Sequence, residues 1–286
     1  MTSWQGDAAN ADQVAYWNGQ AGDRWASQQA VQEIFFTPIT ALLIEGAGAQ
    51  PGERIVDVGC GCGGTTLAFA EQVGPTGHVL GVDVSEQMLA RARQLTPPGA
   101  PVEFVQADAT NYPFAPHAAD RLVSRFGVMF FADPVRSFAN LRAGLRHGGR
   151  VTFICWRAPK YNPWLMVPLQ AVYRHVPKLP PVGPEEPGPF AFAAQERVEH
   201  ILREAGFSDI RLTPHDLWLD IAAGSGLEAA VASAVEIGPA HRALEDVTPE
   251  AHAAAVAAVR HDLASYCEGD SVRLGAAIWL VTATAP

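Results

Sequence analysis

A glycine-rich turn carries the clearest chemical signal in this chain. It starts at Asp57 and runs through Gly59, Gly61 and Gly64, so it fits both Asp-x-Gly-x-Gly and Gly-x-Gly-x-x-Gly. Glycines tolerate positive φ and let a ligand approach the backbone closely, while the free N–H groups of a following helix favour the ligand's negative groups. The spacing therefore predicts a loop that holds a nucleotide-like ligand.

Three acids accompany this turn. Asp83 ends an apolar segment about twenty residues after the turn, where its carboxylate can accept hydrogen bonds from both hydroxyls of a ribose. Asp108 follows a third apolar segment, within reach of an adenine amino group. Asp57 can orient the turn and receive a ligand ammonium group, directly or through water, which suits an amino-acid moiety. A nicotinamide dinucleotide fits the same glycine spacing, but its site usually has an apolar residue in place of Asp57.

No general base is evident from the sequence. A base must lie within hydrogen-bond reach of the proton it removes, and spacing along the chain does not establish that. Four of the nine histidines are candidates by residue type alone: His117, His147, His175 and His200. The four cysteines do not form a disulfide framework, and Cys60-x-Cys62 lacks the spacing of a zinc site. We expect no metal and leave the catalytic residue unassigned.

Several short segments over roughly residues 50–155 form a recognisable ensemble. They are Val56–Gly63, Gly81–Ser85, Gln106–Ala109, Asp120–Phe126 and Leu141–Gly149. In this order and spacing they resemble the class I S-adenosylmethionine-dependent methyltransferases, close to the small-molecule branch that includes ubiquinone- and menaquinone-biosynthesis enzymes. A weaker similarity continues through Leu202–Phe207 and Ala276–Val281.

The resemblance implies S-adenosyl-L-methionine as the cofactor and SN2 transfer of its methyl group to a small, apolar or aromatic metabolite. The residues that it assigns to the cofactor are Tyr16, Trp25, Asp57, Gly59, Gly61, Asp83, Val84, Met88, Asp108, Ala109, Ser124, Arg125 and Phe126. Tyr16 and Trp25 would belong to an N-terminal flap over the methionine end, where an aromatic face favours a sulfonium. Trp17 would instead pack the flap on the sheet.

The segment after Cys155 is rich in proline and apolar residues, and the resemblance makes it a cap over the acceptor site. The residues expected to line an apolar acceptor pocket there are Trp156, Tyr161, Trp164 and Met166. The alternative for this set is packing within the cap.

Two other functions stay open from the sequence. The literal glycine spacing allows a nicotinamide-dependent oxidoreductase. The lack of an evident base allows a non-catalytic S-adenosylmethionine-binding protein that uses its cap helices for a partner.

The elements that position these residues alternate between strand and helix. Strands are predicted near Arg54–Val58, His78–Asp83, Val102–Gln106, Asp120–Ser124 and Arg150–Cys155, and helices at Thr65–Val73, Glu86–Gln94 and Pro134–Leu145. Such alternation predicts a parallel sheet with right-handed crossovers and a ligand at the carboxyl ends of the strands. With the resemblance, we expect an α/β, Rossmann-like, doubly wound seven-stranded sheet, mostly parallel, with an antiparallel C-terminal strand and helical lid insertions.

A single domain over residues 1–286 is expected, with an N-terminal flap at about 1–48 and lid insertions at about 156–193 and 224–268. The second insertion is predicted to carry two helices. Strand Val272–Thr284 should pair antiparallel with Ile210–Asp220 and close the sheet.

Charge and composition narrow the partners. The formal net charge of −10 and the scattered Lys and Arg disfavour a nucleic-acid substrate. No secretory signal is visible at the N-terminus, and no apolar run approaches the length of a membrane span. We therefore expect a cytoplasmic enzyme with a small-molecule methyl acceptor; the sequence gives no indication of its oligomeric state.

Overall fold

The computed structural model describes residues 6–183 and 185–286. Residues 1–5 of the expected flap and Pro184 of the first expected lid lie outside the described residues.

One mixed sheet forms the centre of the fold. Its strands are β1 (Arg54–Val58), β2 (His78–Asp83), β3 (Val102–Gln106), β4 (Ala119–Arg125), β5 (Leu145–Trp156), β6 (Ser208–Asp220), β7 (Cys267–Glu268) and β8 (Ser271–Thr284). The order across the sheet is β3-β2-β1-β4-β5-β8-β6, and β7 forms a short hairpin with β8. Strands β1 to β5 pair in parallel, whereas β8 runs antiparallel to both β5 and β6. The α/β class and mostly parallel sheet are confirmed.

The position of β8 differs from the expectation in one respect. β8 does pair with β6, but it lies between β5 and β6, so that β6 is the edge strand. The additional β7 arises because the chain doubles back at residues 269–270 before β8, and it brings the sheet to eight strands.

The register of the parallel strands brings the predicted acids to one edge. Asp57 in β1 is opposite Gly81 in β2 and Val123 in β4. β1 is buried on both faces from Ile55 to Val58, as expected of a strand covered by helices on each side. The carboxyl ends of β1, β2 and β4 therefore meet, and the loops that leave them share one cleft.

Helices cover the sheet and cross its carboxyl edge. They are α1 (Ala11–Trp17), α2 (Gln20–Ser27), α3 (Gln29–Ala47), α4 (Gly64–Val73), α5 (Glu86–Leu95), α6 (Pro134–Gly144), α7 (Pro163–Val172), α8 (Gln195–Glu204), α9 (Gly226–Glu236), α10 (Gly238–Leu244) and α11 (Pro249–Leu263). Ser85 caps α5 by accepting from Met88 N, and Thr248 caps α11 by accepting from Ala251 N. The second insertion carries three helices rather than two, since α9 and α10 are separate around Ile237 and Gly238.

Helix α3 corrects the expectation that no apolar run approaches a membrane span. By length and composition, with a mean hydropathy of 1.2, its 19 residues could cross a bilayer. In this structure α3 packs against β4, β5, β6 and β8, and it buries Phe35, Phe36, Ile39 and Leu43. Its apolar character is therefore used by the protein core.

Candidate functional site

A large cavity opens at the carboxyl edge of the sheet. Its walls come from the loops after β1, β2, β3 and β4, from α1 to α3, and from α7 and the start of α10. It contains about 1370 Å³ of empty space, including its mouth open to solvent.

The glycine turn has the geometry that its sequence predicts. Gly59 and Gly61 have φ of +67° and +54°, which favour glycine. A Cβ on Gly59 would lie 2.6 Å from Gly127 Cα, so a side chain there would push the loops after β1 and β4 apart. A Cβ on Gly61 would meet nothing closer than Met88 Sδ at 3.8 Å. The first glycine is thus required for close packing, and the second keeps the backbone open to a ligand.

Asp83 fastens the turn to the end of β2. Its Oδ2 accepts from Gly61 N at 2.8 Å, and its Oδ1 accepts from Ser85 N at 2.9 Å. The side chain lines the cavity. Burial raises the pKa of this carboxyl to about 6, although these backbone donors act in the opposite direction. Each oxygen keeps a lone pair for a hydroxyl donor from a ligand.

Asp57 lies beneath the turn rather than in the cavity wall. Its Oδ2 accepts from the hydroxyls of Thr65 and Thr66 at 2.6 and 2.7 Å, at the start of α4. Its Oδ1 is buried and has no partner among the described residues. Burial raises the pKa of Asp57. The carboxylate thus fixes the helix to the strand, and its second oxygen can be linked to a ligand group by a water.

Asp108 anchors the N-terminal segment. Its carboxylate accepts from Asp7 N at 3.0 Å and from Thr110 N at 2.8 Å. Asn10 Nδ2 donates to both carboxylate oxygens, at 2.9 and 3.0 Å. Asn10 also accepts from Ala132 N at 2.8 Å. Most of the acceptor capacity of Asp108 is therefore used inside the protein, although its side chain still lines the cavity.

Two helix faces that the sequence analysis did not single out close the cavity. On α1 and the turn before it, the lining residues are Asn10, Gln13, Val14 and Trp17; on α3 they are Gln29, Gln32, Glu33 and Phe36. Both sets follow the i, i+3, i+4, i+7 spacing of one helix face. The signal in the sequence was the pair Gln29 and Gln32 on the otherwise apolar α3, which by itself also fits a solvated face.

An ion pair joins α3 to the end of β4. Arg125 Nη2 and Nη1 donate to Glu33 Oε1 and Oε2 at 2.6 and 2.9 Å, and Nη1 also donates to Thr40 Oγ1 at 2.7 Å. The Glu33 carboxylate lies over the first residue of α4, within 2.4–2.5 Å of where a Cβ on Gly64 would stand. The predicted residue Ser124 is buried below, donating to Val58 O at 2.7 Å, and does not line the cavity.

An aromatic wall continues from this ion pair towards α7. The rings of Phe126 and Trp156 stack at 4.2 Å with an interplanar angle of 12°. Trp164 lies 4.9 Å from Trp156, and Phe36 lies 5.5 Å from Phe126. Phe126 holds a φ of +70°, a strained conformation for a bulky residue that is often found at functional sites. This end of the cavity offers flat apolar surfaces.

Three aromatic or apolar side chains lie elsewhere than predicted. Tyr16 is 40% exposed and packs edge-on against Trp17, which takes its place in the cavity wall. Tyr161 is 44% exposed, with the Arg157 guanidinium 4.7 Å from its ring. Met166, on α7, packs against the core and does not line the cavity. In α1 and α7 the neighbouring residues Trp17, Trp164 and Leu165 face the cavity instead, whereas no residue of the turn Pro159–Tyr161 lines it.

The remaining predicted residues do line the cavity. They are Trp25, Gly59, Gly61, Asp83, Val84, Met88, Asp108, Ala109, Arg125 and Phe126 from the cofactor set, and Trp156 and Trp164 from the acceptor set. None of the nine histidines lies among the described lining residues. The Cys60 and Cys62 thiols line the cavity, and burial raises the pKa of Cys62 to about 12, so it is neutral.

Comparison with known proteins identifies the family. Residues 55–149 match the family described as "Methyltransferase domain". Over 155 residues the chain is 32% identical to aklanonic acid methyltransferase DauC of Streptomyces sp. strain C5, with 50% of this chain and 69% of that protein covered. The chain belongs to the class I S-adenosylmethionine-dependent methyltransferases. This methyltransferase therefore uses S-adenosyl-L-methionine and methylates a small molecule, and the oxidoreductase and non-catalytic alternatives are not favoured.

Two further similarities agree. The methyltransferase is 29% identical over 175 residues to demethylmenaquinone methyltransferase of Staphylococcus aureus strain JH9, with 58% of this chain and 72% of that protein covered. Its fold matches phosphoethanolamine N-methyltransferase 2 of Haemonchus contortus at a TM-score of 0.56 and 18% identity, over 96% of this chain and 60% of that one. At this identity the second similarity concerns the fold alone.

Proposed function

We propose that this methyltransferase acts on a small apolar or aromatic metabolite held against the aromatic wall of Phe36, Phe126, Trp156 and Trp164. The single observation that carries the proposal is the continuity of this wall with the cavity that contains Asp83 and the glycine turn. The names of two relatives support the proposal, since they are methyltransferases named for aklanonic acid and for demethylmenaquinone.

The residues around the cavity fit the cofactor. In our proposal the Asp83 carboxylate binds the ribose hydroxyls, with Val84 and Met88 against the adenine. The free lone pairs of Asp83 and the open backbone at Gly61 support this assignment. Asp108 and the Ala109 backbone would face the adenine amino group, using the acceptor capacity that Asn10 and Asp7 leave.

The amino-acid end of the cofactor would lie near the start of α4. There Gly59 lets the backbone approach, and the unpaired Asp57 Oδ1 is a buried acceptor. Glu33 is neutralised by its two bonds to Arg125, so in our proposal Asp57 receives the ligand ammonium group through a water. Trp25, which stacks near Phe36 at 6.4 Å, would cover the sulfonium.

When bound, the cofactor supplies an activated methyl group for in-line SN2 transfer. The protein's own contribution is alignment and exclusion of water. We infer that the N-terminal flap and the two lid insertions perform the exclusion, within a single domain. Arg24 lies 3.8 Å from Glu245, and Gln28 donates to Glu236, so the flap and the second lid are in contact. No histidine is needed in this scheme.

We also propose that the enzyme works in the cytoplasm. The support is that Cys60, Cys62, Cys155 and Cys267 are all free, which is usual in a reducing compartment.

Isothermal titration with S-adenosylhomocysteine, with NAD as the control, followed by an acceptor screen tests the proposal. We expect micromolar binding of the first ligand and none of the second. The screen would then detect a mass gain of one methylene, about 14 Da, on an aromatic acceptor in the presence of S-adenosylmethionine. Methylation confined to charged, non-aromatic acceptors would contradict the proposal.

A further inference from the structure

Charge is balanced at the acceptor end of the cavity. Glu33, Asp83, Asp108 and Arg125 are the charged side chains among the described lining residues. Asp83 and Asp108 lie at the ends of β2 and β3, away from the aromatic wall. Glu33 and Arg125 neutralise each other through two hydrogen bonds. A phosphate, carboxylate or ammonium on the acceptor would therefore be desolvated without an unpaired counter-charge, which is unfavourable.

Besides the buried indole Nε1 of Trp164, Gln32 is a polar side chain at this end without a partner among the described residues. It is 5% exposed, lines the cavity, and its amide makes no hydrogen bond with any described residue. Its neighbours on the same helix face are both bonded: Gln29 accepts from Arg91 at 3.4 Å, and Glu33 accepts from Arg125. The amide atoms are therefore open to the cavity, and a ligand that displaces water from them has to supply a hydrogen bond in its place.

The position of Gln32 indicates which ligand that is. One helical turn further along α3, Phe36 contacts the rings of Phe126, Trp156 and Trp164. The amide thus stands at the border of flat apolar surfaces that suit a planar ring. Because an amide both donates and accepts, it can bond a hydroxyl or a carbonyl oxygen on that ring.

We infer that Gln32 determines acceptor specificity: it selects an uncharged, planar aromatic acceptor that carries a ring hydroxyl or carbonyl group beside the aromatic wall. The inference rests on the proposed function. It adds that the acceptor carries an oxygen on its ring and has no charge. Gln32 acts as a binding residue of the acceptor and not of the cofactor.

Calorimetric titration of the protein saturated with S-adenosylhomocysteine tests the inference with three probes that share one ring system: naphthalene, 1-naphthol and 1-naphthyl phosphate. For the unaltered protein we expect 1-naphthol to bind about threefold to tenfold more tightly than naphthalene, as one additional hydrogen bond gives. Naphthyl phosphate should bind most weakly. In Gln32→Leu the preference for naphthol over naphthalene should disappear, while the affinity for S-adenosylhomocysteine stays within about twofold.

Gln20→Leu is the matched control, because Gln20 is exposed on α2 and does not line the cavity. It should keep the naphthol preference. The inference is overturned if Gln32→Leu keeps that preference, if it weakens S-adenosylhomocysteine instead, or if naphthyl phosphate binds best. Failure of both neutral probes to bind would contradict the proposed aromatic site itself, whereas equal binding of both would contradict only the role of Gln32.

Discussion

At the scale of single residues, the site depends on two buried acids whose partners differ. Asp83 is held by two backbone N–H donors and still faces the cavity, whereas Asp57 is held by two threonine hydroxyls below it. Neutralising Asp83 should affect ligand binding, and neutralising Asp57 should affect the glycine turn. The two roles can be separated by experiment.

Asp83→Asn should weaken binding of S-adenosylhomocysteine by about 1.5–3 kcal/mol, or roughly tenfold to 150-fold, because charge-assisted bonds to the ribose are lost. Calorimetry on the purified variant measures this. Glu86→Gln, an exposed carboxylate close by on α5, is the control and should bind normally. Near-normal affinity of Asp83→Asn would show that the ribose lies elsewhere.

The raised pKa of Asp83 gives a pH dependence. Since its pKa is about 6 in the free folded protein and 3.8 ordinarily, the folded state binds an extra proton between about pH 4 and 6. Stability of the free protein therefore falls as pH rises through this window. Ribose binding needs the carboxylate, so affinity for S-adenosylhomocysteine should drop roughly tenfold between pH 7.5 and pH 5. The Asp83→Asn variant should show a flat profile; an unchanged slope would assign the effect to another group.

Gly59→Ala tests the close approach of two loops. Its Cβ would lie 2.6 Å from Gly127 Cα, so we expect a loss of about 2–4 kcal/mol in the free energy of unfolding. Gly48→Ala has a similar positive φ of +58° but ordinary contact at 3.9 Å, so it isolates the backbone cost of about 1 kcal/mol. Urea denaturation compares the two. Equal losses would mean that the loops separate freely.

At the scale of elements, α3 contributes to both the protein core and the cavity wall. Its inner residues Ile39, Leu43 and Ala47 are in the core, and the face with Gln29, Gln32, Glu33 and Phe36 lines the cavity. The Glu33–Arg125 pair connects this helix to β4 across 92 positions in the chain. Rigid placement of the cavity face should depend on that pair.

Arg125→Lys should therefore destabilise the protein by about 1–3 kcal/mol, because lysine cannot form the two parallel bonds to Glu33 and both side chains are largely buried. The affinity for S-adenosylhomocysteine should fall as well. Arg93→Lys alters a surface pair with Glu86 and should cost less than about 0.5 kcal/mol. Thermal denaturation and calorimetry on both variants measure the losses of stability and of ligand affinity. Equal losses in the two variants would show that the Glu33–Arg125 pair does not position α3.

At the scale of the whole molecule, three distant parts of the chain enclose one cavity. The N-terminal helices, the loops after the central strands and the second lid at Ile237 and Gly238 all contribute to its wall. A ligand that contacts all three should stabilise the fold as a unit.

S-adenosylhomocysteine at about one hundred times its dissociation constant should stabilise the protein by about 2.7 kcal/mol and raise the Tm by roughly 4–6 °C. NAD at the same concentration should leave the Tm unchanged. Differential scanning calorimetry measures the shift, and Asp83→Asn should reduce it. A comparable shift with NAD would count against the specificity of the site.

Much of the part of the cavity that we assign to the ribose and adenine could be predicted from the sequence. The glycine turn, Asp83 and the strand bounds Arg54–Val58, His78–Asp83 and Val102–Gln106 follow from local patterns, since strand periodicity and turn chemistry involve residues close together in the chain. The edge at which the acids meet follows from parallel pairing, which strand–helix alternation predicts.

The tertiary structure alone decided which faces of the flanking helices look into the cavity. Trp17 rather than Tyr16 lines it, and Gln32 and Glu33 do so although their local pattern equally fits a solvated surface. The pairing of Glu33 with Arg125 and the anchoring of Asn10 by Asp108 join segments about a hundred positions apart. A helix's rotation about its own axis is set by such long-range contacts, and no local period in the sequence records them.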